Sequence, residues 1–258
     1  MKIKIIVGAL ALMLFSSIGF AQDETKGQVR LFQNFFEDAY ITPELYLEAQ
    51  VNYRYFDDWG LLAPGFDSYD RYGFKVRAGL PVGPKTEVHG SLGLIHVDPG
   101  ADNGSETSVT DLYLGARHLL VDEATKVSVG GFVTLPTGQE DAWEDNTDFG
   151  VYGAARHPLE WGVVATGTVG LYYLESPPSF NRDHKTVLRL SGGAIYEWYD
   201  NLHVIGEVVS ESRHDYLLFS GGFDYTLDPR THVRGNVGLG MDDGAPDIEV
   251  TLSYLFLF

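Results

Sequence analysis

The sequence predicts an all-β fold, a transmembrane antiparallel β-barrel of about 12 strands. Three features predict it: apolar and polar residues alternate over long segments, long and short links alternate between them, and aromatic residues collect at segment ends. Strict alternation gives a strand one apolar face and one polar face. Most segments exceed the roughly five or six residues of a soluble strand and suit a tilted membrane strand.

The last segment, "IEVTLSYLFLF", shows the alternation most clearly. Every second residue from Ile248 to Phe258 is apolar, and Glu249, Thr251 and Ser253 lie between them. The same pattern begins at "LYLEAQVNYRY" and recurs along the chain. It predicts strands at residues 45–56, 70–82, 85–97, 108–120, 125–136, 147–157, 161–174, 185–198, 202–211, 215–227, 231–241 and 247–258.

The links between these segments follow a rule. Long polar loops follow the first, third, fifth and seventh strands, whereas tight turns such as "GP", "VDEA", "PLE" and "DPR" follow the even-numbered ones. An even-stranded outer-membrane barrel with both termini on the periplasmic side has this arrangement. A soluble β-sandwich gives no reason for it.

Aromatic residues lie near both predicted ends of the strands, as the headgroup level of a membrane favours. The predicted periplasmic set comprises Trp161, Tyr196, Trp198, Tyr225 and Phe258, and the outer set Tyr55, Tyr72, Phe149 and Tyr173. Their alternative interpretation is ordinary core packing. In the context of the alternation, they support a barrel that spans 45–258.

Both termini carry features of bacterial export. Residues 1–21 have a cationic start, an apolar stretch and small residues before a cleavage site between Ala21 and Gln22, which is typical of a signal peptide. Tyr254, Phe256 and Phe258 resemble the C-terminal signature that the barrel-assembly machinery reads in bacterial outer-membrane proteins. We therefore expect a location in the outer membrane, with its lipid and lipopolysaccharide as partners.

Residues 22–44 precede the first strand and lack its alternation. Apolar residues from Phe32 to Tyr40 recur at helical spacing, which predicts a short amphipathic helix before Pro43. Such a segment either enters the barrel as a plug or lies on its periplasmic rim.

Composition excludes several functions. The chain has no cysteine, so it has neither thiol nucleophile nor thiolate metal site, and 36 acidic against 18 basic residues argue against a nucleic-acid partner. Most of the acidic excess falls in the predicted outer loops. No nucleotide motif is present, and we assign no cofactor, metal site or catalytic residue.

Strand parity directs charged side chains of both signs into the lumen. A mixed lumen suits a passive channel for small molecules better than a strongly ion-selective one. A closed interior, in which these charges pair with one another, is the alternative. The predicted lumen-lining residues are Arg54, Lys75, Arg77, Asp111, Arg117, Arg156, Arg189, Glu197, Glu207 and Arg234, with Glu197 and Glu207 as partners for the arginines.

Two stretches resemble a known family. "VTDLYLGARHLLVDEATKVSVGGFVTLPTGQ" and "GMDDGAPDIEVTLSYLF" are similar to the Putative MetA-pathway of phenol degradation family, with "LPTG" (Leu135 to Gly138) and "APD" (Ala245 to Asp247) as the more specific motifs. The resemblance implies an outer-membrane channel or transporter, often linked to hydrophobic or aromatic compounds. It implies no catalytic residue.

Two other classes of function stay open. One is a closed structural or adhesive barrel whose acidic loops bind a partner. The other is an outer-membrane lipid hydrolase, which would use a histidine near the outer strand ends such as His96 or His184. The chain has no G-x-S-x-G or H-E-x-x-H motif, so we expect no enzyme.

Overall fold

The computed structural model describes residues 29–57, 68–98, 104–139, 142, 144–175, 184–212 and 215–258. These residues contain the strands β1 (Tyr46–Asp57), β2 (Ser68–Gly83), β3 (Thr86–Asp98), β4 (Glu106–Val109), β5 (Leu112–Asp122), β6 (Lys126–Leu135), β7 (Phe149–Pro158), β8 (Val163–Glu175), β9 (His184–Tyr199), β10 (Leu202–Glu211), β11 (Tyr216–Asp228), β12 (Thr231–Gly240) and β13 (Ile248–Leu257). A short 3-10 turn covers Glu160–Gly162. Across these ranges, no helix has the length and apolar character needed to cross a membrane.

The strands form a closed antiparallel barrel. Neighbours in sequence pair with each other, and β1 pairs with both β2 and β13, which closes the sheet. Twelve strands make the wall, and β4 is an extra short strand that pairs only with the outer half of β3. Closure pairs the backbone groups of every wall strand, as a lipid environment requires. The predicted transmembrane barrel is therefore confirmed.

Strand bounds agree with the predicted ones to within two residues, except for the predicted strand at 108–120, which is divided. The strand is interrupted at Thr110 and Asp111, which lie between β4 and β5. The Thr110 amide still donates to the Gly93 carbonyl at 2.9 Å, so contact with β3 continues through the break. The Asp111 amide donates instead to the Glu144 carboxylate at 2.8 Å and the Leu112 amide to the Thr137 hydroxyl at 2.9 Å, so loop side chains take the backbone groups of the ladder there.

The two faces of the wall differ as the alternation predicts. In β13, Ile248, Leu252 and Tyr254 are exposed on the outside, whereas Glu249 and Ser253 are buried on the inside. Trp161, at the turn before β8, is 87% exposed. An apolar exterior around a polar interior is the reverse of a soluble domain and fits a barrel surrounded by lipid.

Residues 29–42, here called the N-terminal segment, lie against the inward face of the wall. Leu31 and Phe32 pack with Ile195 and Ile205 in one apolar cluster. Gly193 of the wall leaves room for this packing, because a Cβ at that position would come within 2.8 Å of the Leu31 side chain. A second cluster joins segment residues to the start of β1 and the end of β13, through Phe35, Phe36, Tyr46, Leu255 and Leu257.

The short helix predicted in this region is wrong: residues 32–39 form bends and turns. The reason is that wall side chains take up the backbone groups that a helix would pair internally. The amides of Phe32 and Gln33 donate to the Glu207 carboxylate. The carbonyls of Phe36 and Asp38 accept from Arg117. A peptide with its hydrogen bonds supplied from outside has no need of helical ones.

The lipid-facing and lumen-facing sides of β1 give a direct test of the fold. Val51→Asp places a carboxylate on the exposed outer face near the middle of the strand, and should lower the free energy of unfolding by about 2 kcal/mol or more. Asn52→Asp, one residue on but facing the lumen, should change it by less than about 0.5 kcal/mol. Urea unfolding in phospholipid vesicles measures both; equal losses would contradict the assigned faces.

Candidate functional site

The lumen has two parts that differ in content. The lower lumen, at the end of the barrel where β1 begins and β13 ends, is filled by the N-terminal segment. Above the segment lies a cavity of about 500 Å³, here called the upper cavity. Phe32, Gln33, Phe35, Phe36 and Glu37 of the segment line this cavity from below. The segment therefore separates the cavity from the lower end of the barrel.

Glu87, on β3, is the main polar anchor of the lower lumen. Its carboxylate accepts hydrogen bonds from Arg30 of the segment, Arg117 of β5 and the Tyr46 hydroxyl, each at 2.9 Å. The side chains of Glu87 and Arg117 are fully buried, and that of Arg30 is 2% exposed. Two guanidiniums and one carboxylate that bind each other can be buried at a moderate cost, which a single unpaired charge cannot.

Further contacts tie the segment to the opposite side of the wall. Arg156 of β7 binds the Asp38 carboxylate at 3.0 Å and the Val29 carbonyl at 2.9 Å. The Tyr172 hydroxyl donates to the Glu37 carboxylate at 2.6 Å. The segment is thus held by charge-assisted hydrogen bonds from at least two sides of the barrel.

Arg234 of β12 connects the segment to a group of wall carboxylates. Its guanidinium binds Asp224 and Glu48, both at 2.8 Å, and also donates to the Arg30 carbonyl. Arg234 is fully buried, and its charge is compensated entirely within the wall. The bond to the segment is an addition to this pairing.

Ion pairs between neighbouring strands, and one between β2 and the β6–β7 loop, line the upper cavity. Arg54 binds Glu249 at 2.6 Å, and Arg71 binds Glu144 at 2.7 Å. A looser pair joins Arg189 to Glu211, at 3.7 Å. All six of these side chains lie on the cavity surface, together with Lys75 and Arg77 of β2. The cavity surface is strongly polar, and both signs of charge are present.

The loop between β6 and β7 folds inward at the outer end. Ala142 packs with Phe56, Tyr69, Ile95 and Val97, which face the lumen from β1, β2 and β3. The Asp111 carboxylate holds the loop, because the amides of Thr137, Gly138, Asp145 and Asn146 all donate to it at 2.8 to 3.1 Å. Thr137 and Gly138 belong to the "LPTG" motif, so this motif is part of the loop's anchor.

The predicted lumen residues separate into groups. Arg54, Lys75, Arg77, Asp111 and Arg189 line the upper cavity, whereas Arg117, Arg156, Glu207 and Arg234 are buried around the segment. Glu207, predicted as a partner for the arginines, accepts hydrogen bonds from the Phe32 and Gln33 amides. Glu197 lies near the lower end of β9, where it pairs in register with His203 and lines no part of the cavity.

The sequence analysis missed the segment's own charges, Arg30, Glu37 and Asp38. These charges do not follow the alternation of a strand. The signal that could have revealed them is that they lie among aromatic residues in a stretch too short to form a domain of its own. At the chain's end, Tyr254 and Phe258 are exposed on the outer face, and Phe256 packs against Phe258 with ring centroids 4.9 Å apart. The predicted cleavage site at Ala21 and Gln22 falls outside the described residues.

Histidine geometry bears on the hydrolase alternative. His96 Nδ1 lies 2.8 Å from the Thr107 hydroxyl on the outer face. Equivalent pairs join His118 to Thr86 at 2.8 Å and His157 to Thr125 at 2.7 Å. Three similar His–Thr pairs in different places indicate a recurring contact between strands, and single out no active centre. The side chain of His184 lies outside the described residues.

Comparison with solved structures finds other barrels of the outer membrane. The COG4313 outer membrane channel from Pseudomonas putida F1 matches with a TM-score of 0.66 and 11% identity, over 85% of this chain and 97% of that one. The KdgM porin, in complex with disordered oligogalacturonate, matches with a TM-score of 0.55 and 9% identity, over 83% and 99%. The NanC porin gives 0.52 and 10%, over 82% and 98%. At these identities the likeness establishes the fold.

Comparison with protein families identifies one. The model of the family described as Putative MetA-pathway of phenol degradation matches residues 16–258. This match confirms the resemblance seen in the sequence. No curated protein matches this chain.

The buried anchor at Glu87 can be tested against a more exposed pair. Glu87→Gln leaves Arg30 and Arg117 facing a neutral amide in a fully buried site, and should lower the free energy of unfolding by about 3 kcal/mol or more. Glu211→Gln, which removes the half-buried partner of Arg189 at 3.7 Å, should cost less than about 1 kcal/mol. Urea unfolding in vesicles measures both, and hydrogen exchange should rise at residues 29–42 for Glu87→Gln alone. Similar losses in the two variants would argue against Glu87 as the anchor.

Proposed function

The chain belongs to the Putative MetA-pathway of phenol degradation family, and on that premise we propose that it is an outer-membrane channel for passive movement of small molecules. The observation that carries this proposal is the upper cavity of about 500 Å³ inside a closed barrel. Its volume lies within the range of pockets that hold small molecules. Its lining of charged and aromatic side chains offers contacts to a solute that an empty pore would not.

The proposed orientation of the barrel in the outer membrane follows from its termini and its outer surface. Residues 1–21 act as a signal peptide, removed between Ala21 and Gln22, and the mature chain enters the outer membrane through the barrel-assembly machinery. The exposed outer row of β13, with Tyr254 and Phe258, supports this route. The β1 and β13 ends that meet at the lower lumen then face the periplasm, and the loop anchored by Asp111 faces the cell exterior, next to lipopolysaccharide.

We assign to residues 22–44 the role of a plug. The buried position of the N-terminal segment between the upper cavity and the periplasmic end supports this role over a location on the rim. Passage of a solute then requires the segment to shift. Hydrophobic or aromatic compounds are the solutes that the family suggests, and the aromatic lower surface of the cavity is compatible with them.

A closed structural or adhesive barrel is the second candidate. The packing of the lower lumen favours it, because buried ion pairs and two apolar clusters hold the segment in place. The two functions differ in whether ions cross the protein at all. A lipid hydrolase has no comparable support.

Removing the N-terminal segment distinguishes a channel from a closed barrel. Deletion of residues 29–42 should raise the single-channel conductance of the refolded protein in planar bilayers severalfold, because it joins the upper cavity to the periplasmic end. An unchanged conductance would contradict the plug. Silence from both the deletion variant and the wild type, in correctly folded protein, would favour the closed barrel.

A reversible lock provides a variant that keeps the segment's contacts. The chain has no cysteine, so Leu31→Cys with Gly193→Cys introduces a single possible disulfide between the segment and β9, at a point of close contact. If solutes pass when the segment moves, the oxidised variant should conduct less than the same protein after reduction. Equal currents in the two states would show that the segment does not control passage. The single variants Leu31→Cys and Gly193→Cys serve as controls.

A further inference from the structure

We propose that the upper cavity binds a small organic anion, specifically a carboxylate attached to a flat apolar ring, with Lys75 and Arg77 of β2 receiving the carboxylate. This inference rests on the proposed channel function and names the solute class of the same cavity. Three independent features of the cavity support it: an unpaired cation, a set of fully engaged carboxylates and an aromatic surface beside them.

Lys75 is the unpaired cation. It faces the upper cavity between Gly73 and Arg77 on β2, opposite Gln50 of β1. Among the residues that the structure describes, no side chain or backbone group forms a hydrogen bond or ion pair with its ammonium. The other four cationic side chains of the cavity surface, Arg54, Arg71, Arg77 and Arg189, each have a carboxylate within 4 Å. A half-buried ammonium without such a partner favours the approach of an anion.

Arg77 extends this cationic surface toward the N-terminal segment. Its Nη1 lies 3.3 Å from the Glu48 carboxylate, a longer distance than in the Arg54–Glu249 and Arg71–Glu144 pairs. Glu48 already accepts from Arg234 at 2.8 Å and from Ser253 at 2.7 Å. One carboxylate thus serves two guanidiniums, so Arg77 retains donors that can turn to a second anion.

The carboxylates of the cavity are committed to other partners. Asp111 holds four loop amides, and Glu144 binds both Arg71 and the Asp111 amide. Glu249 accepts from Arg54 and from the Gln33 side chain. The Glu37 carboxylate accepts from the buried Tyr172 hydroxyl. These acids keep their charge but are held by their own partners, whereas Arg71 and Arg77 lie on the same face of β2 on either side of Lys75. The surface next to Lys75 is therefore locally cationic and favours an anionic solute.

Aromatic rings next to the cations supply an apolar contact surface. Phe35 and Phe36 of the segment line the cavity from below, and Arg77 lies over the Phe35 ring with its guanidinium carbon 5.0 Å from the centroid. Phe36 stacks with Tyr113 of β5, with centroids 5.2 Å apart and planes inclined by 10°. A flat ring on the solute can continue this arrangement while its carboxylate reaches the cations. A purely hydrophilic anion gains only the charge contact.

Benzoate is the probe that tests charge and ring together. Titration of the full-length purified protein in detergent, followed by calorimetry or ligand-observed NMR, should show saturable benzoate binding that is tighter than for acetate, which lacks the ring. Benzyl alcohol, which keeps the ring without the charge, should also bind more weakly. Lys75→Gln should weaken benzoate binding about tenfold, the size of one lost charge-assisted contact.

Lys126→Gln is the matched control. It removes the same charge from β6 at an exposed position, where Lys126 pairs with Asp122 at 2.5 Å, outside the upper cavity. It should leave benzoate binding unchanged. Equal benzoate affinity in Lys75→Gln and the wild type would overturn the proposal, as would equal affinity for benzoate and benzyl alcohol.

Bilayer recordings separate this proposal from the proposed function. A protein that conducts ions, but whose current benzoate leaves unaltered and whose calorimetry shows no binding, would refute the anion site and keep the channel. A protein that binds benzoate through Lys75 but never conducts would keep the anion site and refute the channel. Block of the current by benzoate in the wild type, relieved in Lys75→Gln, is the result expected if both are right.

Discussion

A charge placed inside the barrel must find a partner there, and this constraint organises the whole lumen. In the lower lumen, Arg117, Arg234 and Glu87 are fully buried. An unpaired ion in such a place costs several kcal/mol. Arg156 of β7 pairs with Asp38 of the N-terminal segment at 3.0 Å. The segment therefore completes the electrostatics of the wall as well as its packing.

The wall was predictable from the sequence because lipid imposes a rule on every second residue. A slip of one residue would turn Val51 inward and Glu48 outward, so the alternation along β1 specifies both the strand and its face. The same reasoning places Arg77, Arg117 and Arg234 in the lumen. What alternation cannot specify is the partner of each inward side chain, because partners come from strands distant in sequence, as in the pair between Arg234 and Glu48.

Two departures from the predicted fold share one physical cause. The predicted strand at 108–120 breaks where Glu144 and Thr137 of the β6–β7 loop accept from the backbone amides of Asp111 and Leu112. The predicted helix fails where Glu207 binds the amides of Phe32 and Gln33. In both places a side chain from another part of the chain accepts the hydrogen bonds of backbone amides that the predicted strand or helix would have used. Periodicity describes only local preference, so the sequence carried no mark of either competition.

Movement of the segment is energetically feasible because most wall charges keep a partner without it. Glu87 would lose Arg30 but retain Arg117, and Arg234 would retain Asp224 and Glu48. The charges that would leave with the segment are Arg30, Glu37 and Asp38, of which Asp38 pairs with Arg156 of the wall. Displacement would break the pair between Asp38 and Arg156 and expose the two apolar clusters, whereas Glu87 and Arg234 would keep charged partners within the wall. A wall whose main ion pairs stay closed without the segment can bind the segment tightly and still stay folded when the segment moves, as the proposed channel requires.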